Sequence, residues 1–268
     1  ESTDPDIVRF MAEFCEKRLG KGVVTAKDTP NFVANRIGVF NFLVTLREMA
    51  AHDLTVEDVD AATGPLMGRP NSATFRTLDY VGIDVLEHAS NNVKDQLKDE
   101  VEAALFEVPS VLRELVERGW IGEKRGQGFY KRIKGASGSE VHALNLHTFE
   151  YAKSVNATAA TLEAAKRAKG VEARLRTLLA GEDRFAAFAW NVLKHTLLYS
   201  AGKLGEIADS IVDIDRAMKW GYNWELGPFE LWDAIGLTSS VEWMEAEGLN
   251  VPSWVKEWIA AGHTSFYQ

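Results

Sequence analysis

Two stretches of this chain repeat one spacing, and that repeat limits the folds open to it. Val59-Asp60-Ala61-Ala62 is followed, after an interval, by Phe75-Arg76-Thr77-Leu78-Asp79-Tyr80-Val81-Gly82. Ile214-Asp215-Arg216-Ala217 is followed by Phe229-Glu230-Leu231-Trp232-Asp233-Ala234-Ile235-Gly236. Asp60 to Asp79 spans 19 positions and Asp215 to Asp233 spans 18. Each pattern comes after a long apolar segment with helical spacing. A duplicated helical domain accounts for both copies. Two amphipathic helices carrying Asp and Gly by coincidence would give the same spacing.

The intervening residues read as helix almost throughout. Asp4-Pro5 is an N-cap with proline at the first helical position. Ile7, Phe10, Met11 and Phe14 then recur at helical spacing, and Gly20 ends the element. Thr29-Pro30 starts a longer helix predicted to run to about His52, and Thr55-x-x-Asp58 resembles a capping box. Asp84 and Ser110 are expected to cap two more helices. Gly119 to Tyr130 is turn-rich, and Lys134 to Ser139 reads as a linker. The stretch from Tyr151 to Ala180 favours helix. A second globular unit begins near Asp183, and seven of the eight tryptophans follow that point.

A length of 268 residues is consistent with two domains, at roughly 150 residues each. The formal net charge of −9 argues against nucleic acid as a partner. The single cysteine, Cys15, excludes a disulfide framework and fits a reducing, cytoplasmic compartment. No apolar run approaches the roughly 18 residues of a membrane span. Phosphate-loop and metal-helix motifs are absent, and the histidines lack metal-ligand spacing. Gly126-Gln127-Gly128 begins like a dinucleotide fingerprint, but Lys131 stands where its third glycine belongs.

The second helix carries the most informative residues. At 100° per residue, Phe32, Val39, Phe42, Leu43, Leu46 and Ala50 form one apolar arc. Asn35 and Arg36 fall inside that arc. A structural reading pairs Arg36 with an acidic group such as Asp79 and Asn35 with a neighbouring loop. A functional reading turns the helix toward a cleft, with the Asn35 amide presented to a ligand carbonyl or hydroxyl. His52 reads as a favourable cation at a helix C-terminus. The Trp220–Trp232 cluster reads as core. Arg69, in the Gly68-Arg69-Pro70 turn, and Lys124 and Arg125 are basic groups within reach of an anion, with solvated charge as their ordinary role.

Lys27-Asp28-Thr29-Pro30-Asn31-Phe32-Val33-Ala34-Asn35-Arg36 resembles the opening of the C-terminal domain of 3-hydroxyacyl-CoA dehydrogenases, K-D-T-P-G-F-x-x-N-R. Asp60 to Pro70, Phe75 to Asp79 and Gly82-Ile83-Asp84 resemble the family's next block. Lys124-x-Gly126-x-Gly128-Phe129-Tyr130 resembles its close, and Gly227-Pro228-Phe229-Glu230-Leu231-Trp232-Asp233 matches G-P-F-E-L-x-D. Asn31 departs from the family glycine, and Asn71 to Thr74 departs from the common M-G-P-F run.

The resemblance implies an all-α fold of two tandem domains, similar to the C-terminal domain of 6-phosphogluconate dehydrogenase. Residues 1–135 would be the first copy, 136–182 a linker and helical connector, and 183–268 a divergent second copy. It implies a part in NAD-dependent oxidation of (3S)-3-hydroxyacyl-CoA in fatty-acid β-oxidation, as in long bacterial proteins that add an enoyl-CoA hydratase module. NAD would be bound by an N-terminal Rossmann domain that this chain does not contain. No cofactor, metal, catalytic residue or turnover is therefore expected here. Asn35 carries over as the substrate-binding residue for acyl-CoA. The second copy, with Trp190-Asn191-Val192 near the place of the Asn-Arg pair, is expected to be structural. A non-catalytic helical interaction module and a different β-hydroxyacid dehydrogenase remain as alternatives.

Overall fold

A computed structural model of the chain describes residues 3–135 and 138–267. Its first half runs through α1 (Pro5–Leu19), α2 (Ala34–Ala51), α3 (Val56–Thr63), α4 (Phe75–Val81), α5 (Ile83–Gln96), α6 (Glu100–Ala104) and α7 (Ser110–Glu117). Strands β1 (Tyr130–Gly135), β2 (Gly138–Leu144) and β3 (Tyr151–Lys153) follow as one antiparallel sheet in that order. The chain continues through α8 (Ala160–Arg167), α9 (Val171–Leu179), α10 (Arg184–Gly202), α11 (Ile211–Tyr222), α12 (Pro228–Ile235), α13 (Leu237–Ala246) and α14 (Ser253–Ala260). The fold is predominantly helical.

The sheet is the main departure from the all-α expectation. The glycines of the turn-rich stretch lead into a hairpin, with Tyr130 opposite Ala143 and Gly135 opposite Gly138. The segment expected as linker and connector therefore supplies β2, β3, α8 and α9. Its Leu144, Leu162, Leu175 and Leu178 are buried in the core, and position 135 falls inside the hairpin.

Several helix starts also move. Asp4 caps α1 and the Thr55–Asp58 capping box opens α3, as the residue types require. Thr29-Pro30 instead precedes a turn, and α2 begins at Ala34. Asn31 and Phe32 adopt φ of 62° and 52° in that turn. Asn31, standing where the resembling motif has glycine, thus takes a left-handed conformation that asparagine tolerates better than most residues. Gly82 precedes α5 and Pro109 precedes α7, leaving Asp84 and Ser110 inside their helices.

The sequence repeat has a physical basis. Asp60 accepts backbone N–H bonds from Thr74 (3.0 Å) and Phe75 (2.7 Å), at the start of α4, and a hydroxyl bond from Tyr130 (2.8 Å). Asp79 accepts from the N–H groups of Phe129 and Tyr130, both at 2.8 Å. In the second half Asp215 accepts from Phe229 N–H (2.9 Å), Glu230 N–H (3.1 Å) and the Tyr267 hydroxyl (2.7 Å). Asp233 accepts from Phe266 (2.8 Å) and Tyr267 (2.9 Å). Each pair of aspartates therefore ties a short helix to a Phe-Tyr dipeptide farther along the chain. Burial pushes Asp60 and Asp215 up to about 6 and Asp79 up to about 7, against the downward pull of these bonds.

Helices α2 and α10 pack together and join the halves. Asn41 donates to Thr196 (2.8 Å), Asn191 to Glu48 (2.8 Å) and Arg184 to Asp58 (2.8 Å). The Arg36 side chain is wholly buried and does not reach Asp79, whose oxygens are taken by β1. It donates instead to the Tyr199 hydroxyl (2.6 Å), the Pro30 carbonyl (3.3 Å), Glu102 (2.8 Å) and Glu206 (3.2 Å). Lys203 adds a bond to Glu102 at 2.6 Å. Burial alone raises the Glu102 pKa, but bonds from Lys203, Arg36 and Tyr199 outweigh it and hold the carboxyl below its ordinary range.

Candidate functional site

Asn35 is the second residue of α2, and its position follows from the turn before it. With Asn31 and Phe32 in left-handed conformations, the helix begins late and Phe32 swings out, 58% exposed. Asn35 is exposed and Arg36 is buried. Adjacent helical residues point about 100° apart, so the expected arc divides between them. Ala50, also assigned to that arc, is exposed too.

Tyr222, the last residue of α11, reaches Asn35 from the second half. Its hydroxyl donates to Asn35 Oδ1 at 3.3 Å. Burial pushes the Tyr222 phenol up to about 12, so it stays protonated as a donor. With Oδ1 engaged, the Asn35 amide has Nδ2 left to donate outward. The ring of Tyr222 lies directly on Gly38, one turn along α2, where any Cβ would overlap it. Sequence reasoning missed Tyr222 because 187 residues separate it from Asn35. The second half thus contributes to the surroundings of Asn35.

Gly38→Ala tests this packing directly. Alanine favours helix over glycine by roughly 1 kcal/mol, but here its methyl must displace Tyr222. The expected outcome is a net loss of about 1–3 kcal/mol in thermal unfolding. In a Tyr222→Ala background the same exchange becomes neutral or stabilising. A stabilising Gly38→Ala with Tyr222 intact would contradict the contact.

The other basic and aromatic candidates separate clearly. His52 ends α2, with Nδ1 2.9 Å from the Glu48 carbonyl. Lys124 pairs with Asp84 at 2.6 Å, and Arg125 is exposed. Trp224 and Trp232 are buried, while Trp220 is half-exposed against Gly22. Asn191 donates to Glu48 at 2.8 Å. Among the described residues no cluster of three or more His, Cys, Asp or Glu side chains could hold a metal, and no helix is long and apolar enough to cross a membrane.

A dinucleotide has no cradle among these residues. The sheet is antiparallel, and Gly126-Gln127-Gly128 leads through a turn into β1 rather than from a strand into a helix. The residues present do not fit NAD.

The family model for the C-terminal domain of 3-hydroxyacyl-CoA dehydrogenase matches this chain twice, at residues 32–132 and 188–262. A Bacillus subtilis protein named "Probable 3-hydroxyacyl-CoA dehydrogenase" is 51% identical over 267 residues, covering 100% of this chain and 33% of that protein. A Rickettsia felis protein named "Putative fatty acid oxidation complex trifunctional enzyme" is 28% identical over 228 residues, covering 84% of this chain and 30% of that protein. The chain thus spans about a third of the length of these relatives. The crystal structure of 3-hydroxybutyryl-CoA dehydrogenase from Escherichia coli matches with a TM-score of 0.63 at 18% identity, over 96% of this chain and 65% of that one, and shares the fold. With the family model matched over most of its length, the chain belongs to the 3-hydroxyacyl-CoA dehydrogenase family through that family's C-terminal domain.

Proposed function

We propose that this chain is the substrate-side helical portion of an NAD-dependent (3S)-3-hydroxyacyl-CoA dehydrogenase of cytoplasmic fatty-acid β-oxidation. The observation that carries the reading is the Asn35–Tyr222 pair at the family's Asn-Arg motif. Oxidation of a 3-hydroxyl turns its oxygen into a polarised carbonyl. An amide N–H held at that oxygen stabilises the developing charge, and a donor fixed in advance does so without reorganisation. Tyr222 supplies the fixing by occupying Oδ1. The nicotinamide accepts the hydride when bound, and it belongs to a separate NAD-binding domain.

Helix α1 supports such a partner domain. It is amphipathic and has no buried residue, with Ile7, Phe10, Met11 and Phe14 exposed along it. A 15-residue helix is marginal alone in water and gains stability by covering its apolar face. In this reading the NAD-binding domain covers it. The two copies act in tandem, the second standing in a pseudo-twofold contact with the first, and an enoyl-CoA hydratase module works on the adjoining step.

The test is Asn35→Ala in a protein that carries the NAD-binding domain. Loss of one such donor lowers kcat by about 10²–10³ with a smaller change in KM. In this reading the 268-residue chain alone is expected to oxidise no hydroxyacyl-CoA, and turnover by it would contradict the reading. Unchanged kcat and KM in the variant would instead make this a helical interaction module that keeps the fold without the site.

A further inference from the structure

Two arginines of this chain are buried, and their surroundings differ. Arg36 has two carboxylates, a hydroxyl and a carbonyl around it. Arg69 has a single polar partner: Nη1 donates to Asn41 Oδ1 at 3.0 Å. Its Nε and Nη2 are buried without any hydrogen-bond partner. The guanidinium lies over Trp224, 4.7 Å from the ring centroid. The Glu225 N–H holds that loop in place by donating to the Gly68 carbonyl at 2.7 Å, while the Glu225 carboxylate is turned to Arg174 at 2.8 Å. Among the described residues no carboxylate pairs with Arg69. Burial lowers its pKa to about 9, which leaves it protonated at neutral pH.

The guanidinium borders a pocket of about 20 Å³ between the two halves of the chain, lined also by Gly38, Phe42, Thr74, Tyr222 and Trp224. That volume holds one water-sized group. Nε–H and Nη2–H lie on one edge of the planar fork and converge on a point in front of it. A water molecule would accept from both donors yet leave the buried charge uncompensated. An anion answers both needs.

We propose that this pocket is a binding site for a monovalent anion of halide size, held by Arg69 Nε–H and Nη2–H against Trp224 and Asn41. The anion joins the Arg69 turn and α2 to the Trp224 loop of the second half. The pocket adjoins the surroundings of Asn35 through Tyr222, which lines it and whose hydroxyl meets Asn35 Oδ1, while Arg69 itself makes no bond to Asn35.

Chloride is the probe. Thermal unfolding of the 268-residue chain is followed while chloride replaces gluconate at constant ionic strength. The expected result is a saturable rise of several degrees in Tm, which bromide reproduces. Arg69→Met removes the buried charge and abolishes the dependence, and Arg69→Lys weakens it by removing the fork. Crystals soaked in bromide show an anomalous peak within hydrogen-bond reach of Nε and Nη2. A Tm indifferent to chloride in the unaltered chain, an equal response in Arg69→Met, or a bromide map empty at the fork each overturns the proposal.

Discussion

Replacing Arg36 with alanine lowers the unfolding free energy by about 3–5 kcal/mol, the usual result of removing one partner from a buried ion pair. Four bonds are lost. Glu102 and Glu206 keep Lys203 but each loses a charged donor, Tyr199 loses the donor to its oxygen, and the Pro30 carbonyl at the turn before α2 is left unpaired. A cavity is added to these. Arg36→Lys recovers only part of the loss, because one ammonium cannot serve four acceptors spread around a fork. Urea unfolding measures both variants, and a loss under about 1 kcal/mol for alanine would contradict the network. Acid provides an independent check. The folded-state pKa of Glu102 is depressed, so the stability it carries is present above the ordinary value of 4.5 and is lost as pH falls through the folded value. Below pH 4.5 the stability difference between the unaltered chain and Arg36→Ala should therefore shrink, a comparison that cancels the opposite pull of the raised aspartates.

Asp79→Ala strips the carboxylate from the first half's cradle. The N–H groups of Phe129 and Tyr130 then lose their acceptor at a site that is largely closed to water. Each orphaned donor costs about 1–3 kcal/mol, so a loss of roughly 2–6 kcal/mol is expected. The damage should stay local. Amide exchange should quicken at Phe129 and Tyr130 and along β1, while Phe266 and Tyr267 keep their protection through Asp233. Asp233→Ala should give the mirror result. Uniform loss of protection across both halves would show that the two cradles do not act as separate units.

Much of this fold is legible in local chemistry. The Asp4 cap and the Thr55–Asp58 box act within short stretches that obey capping rules, and the paired aspartates show in their repeated spacing although their bonds reach far along the chain. The sheet is less visible, because β1 carries Lys131, Arg132 and Lys134 in place of an apolar alternation. Its pairing is set by the turn and by Asp79 rather than by side-chain pattern. The late start of α2 depends on two non-glycine residues in left-handed conformations, which helical periodicity does not register. At the site, the motif points to Asn35, but the Arg36 network and Tyr222 depend on contacts across 66 to 187 residues. The second cradle escapes notice for a different reason. Its Phe266-Tyr267 lacks the glycine spacer that announces Phe129-Tyr130.

The cradles also bear on the order in which the chain can fold. Each closes on a Phe-Tyr dipeptide that trails its helix-capping aspartate, by 70 residues in the first half and 52 in the second. Neither can be completed by local structure alone, and each imposes a long loop closure before its reward arrives. As the chain is synthesised, the first latch can shut while the second half is still emerging. The second waits for residues 266 and 267. A ribosome-stalled chain ending a few residues earlier would hold a closed first latch beside a second one whose Asp233 lacks its two N–H donors and whose Asp215 keeps only the start of α12.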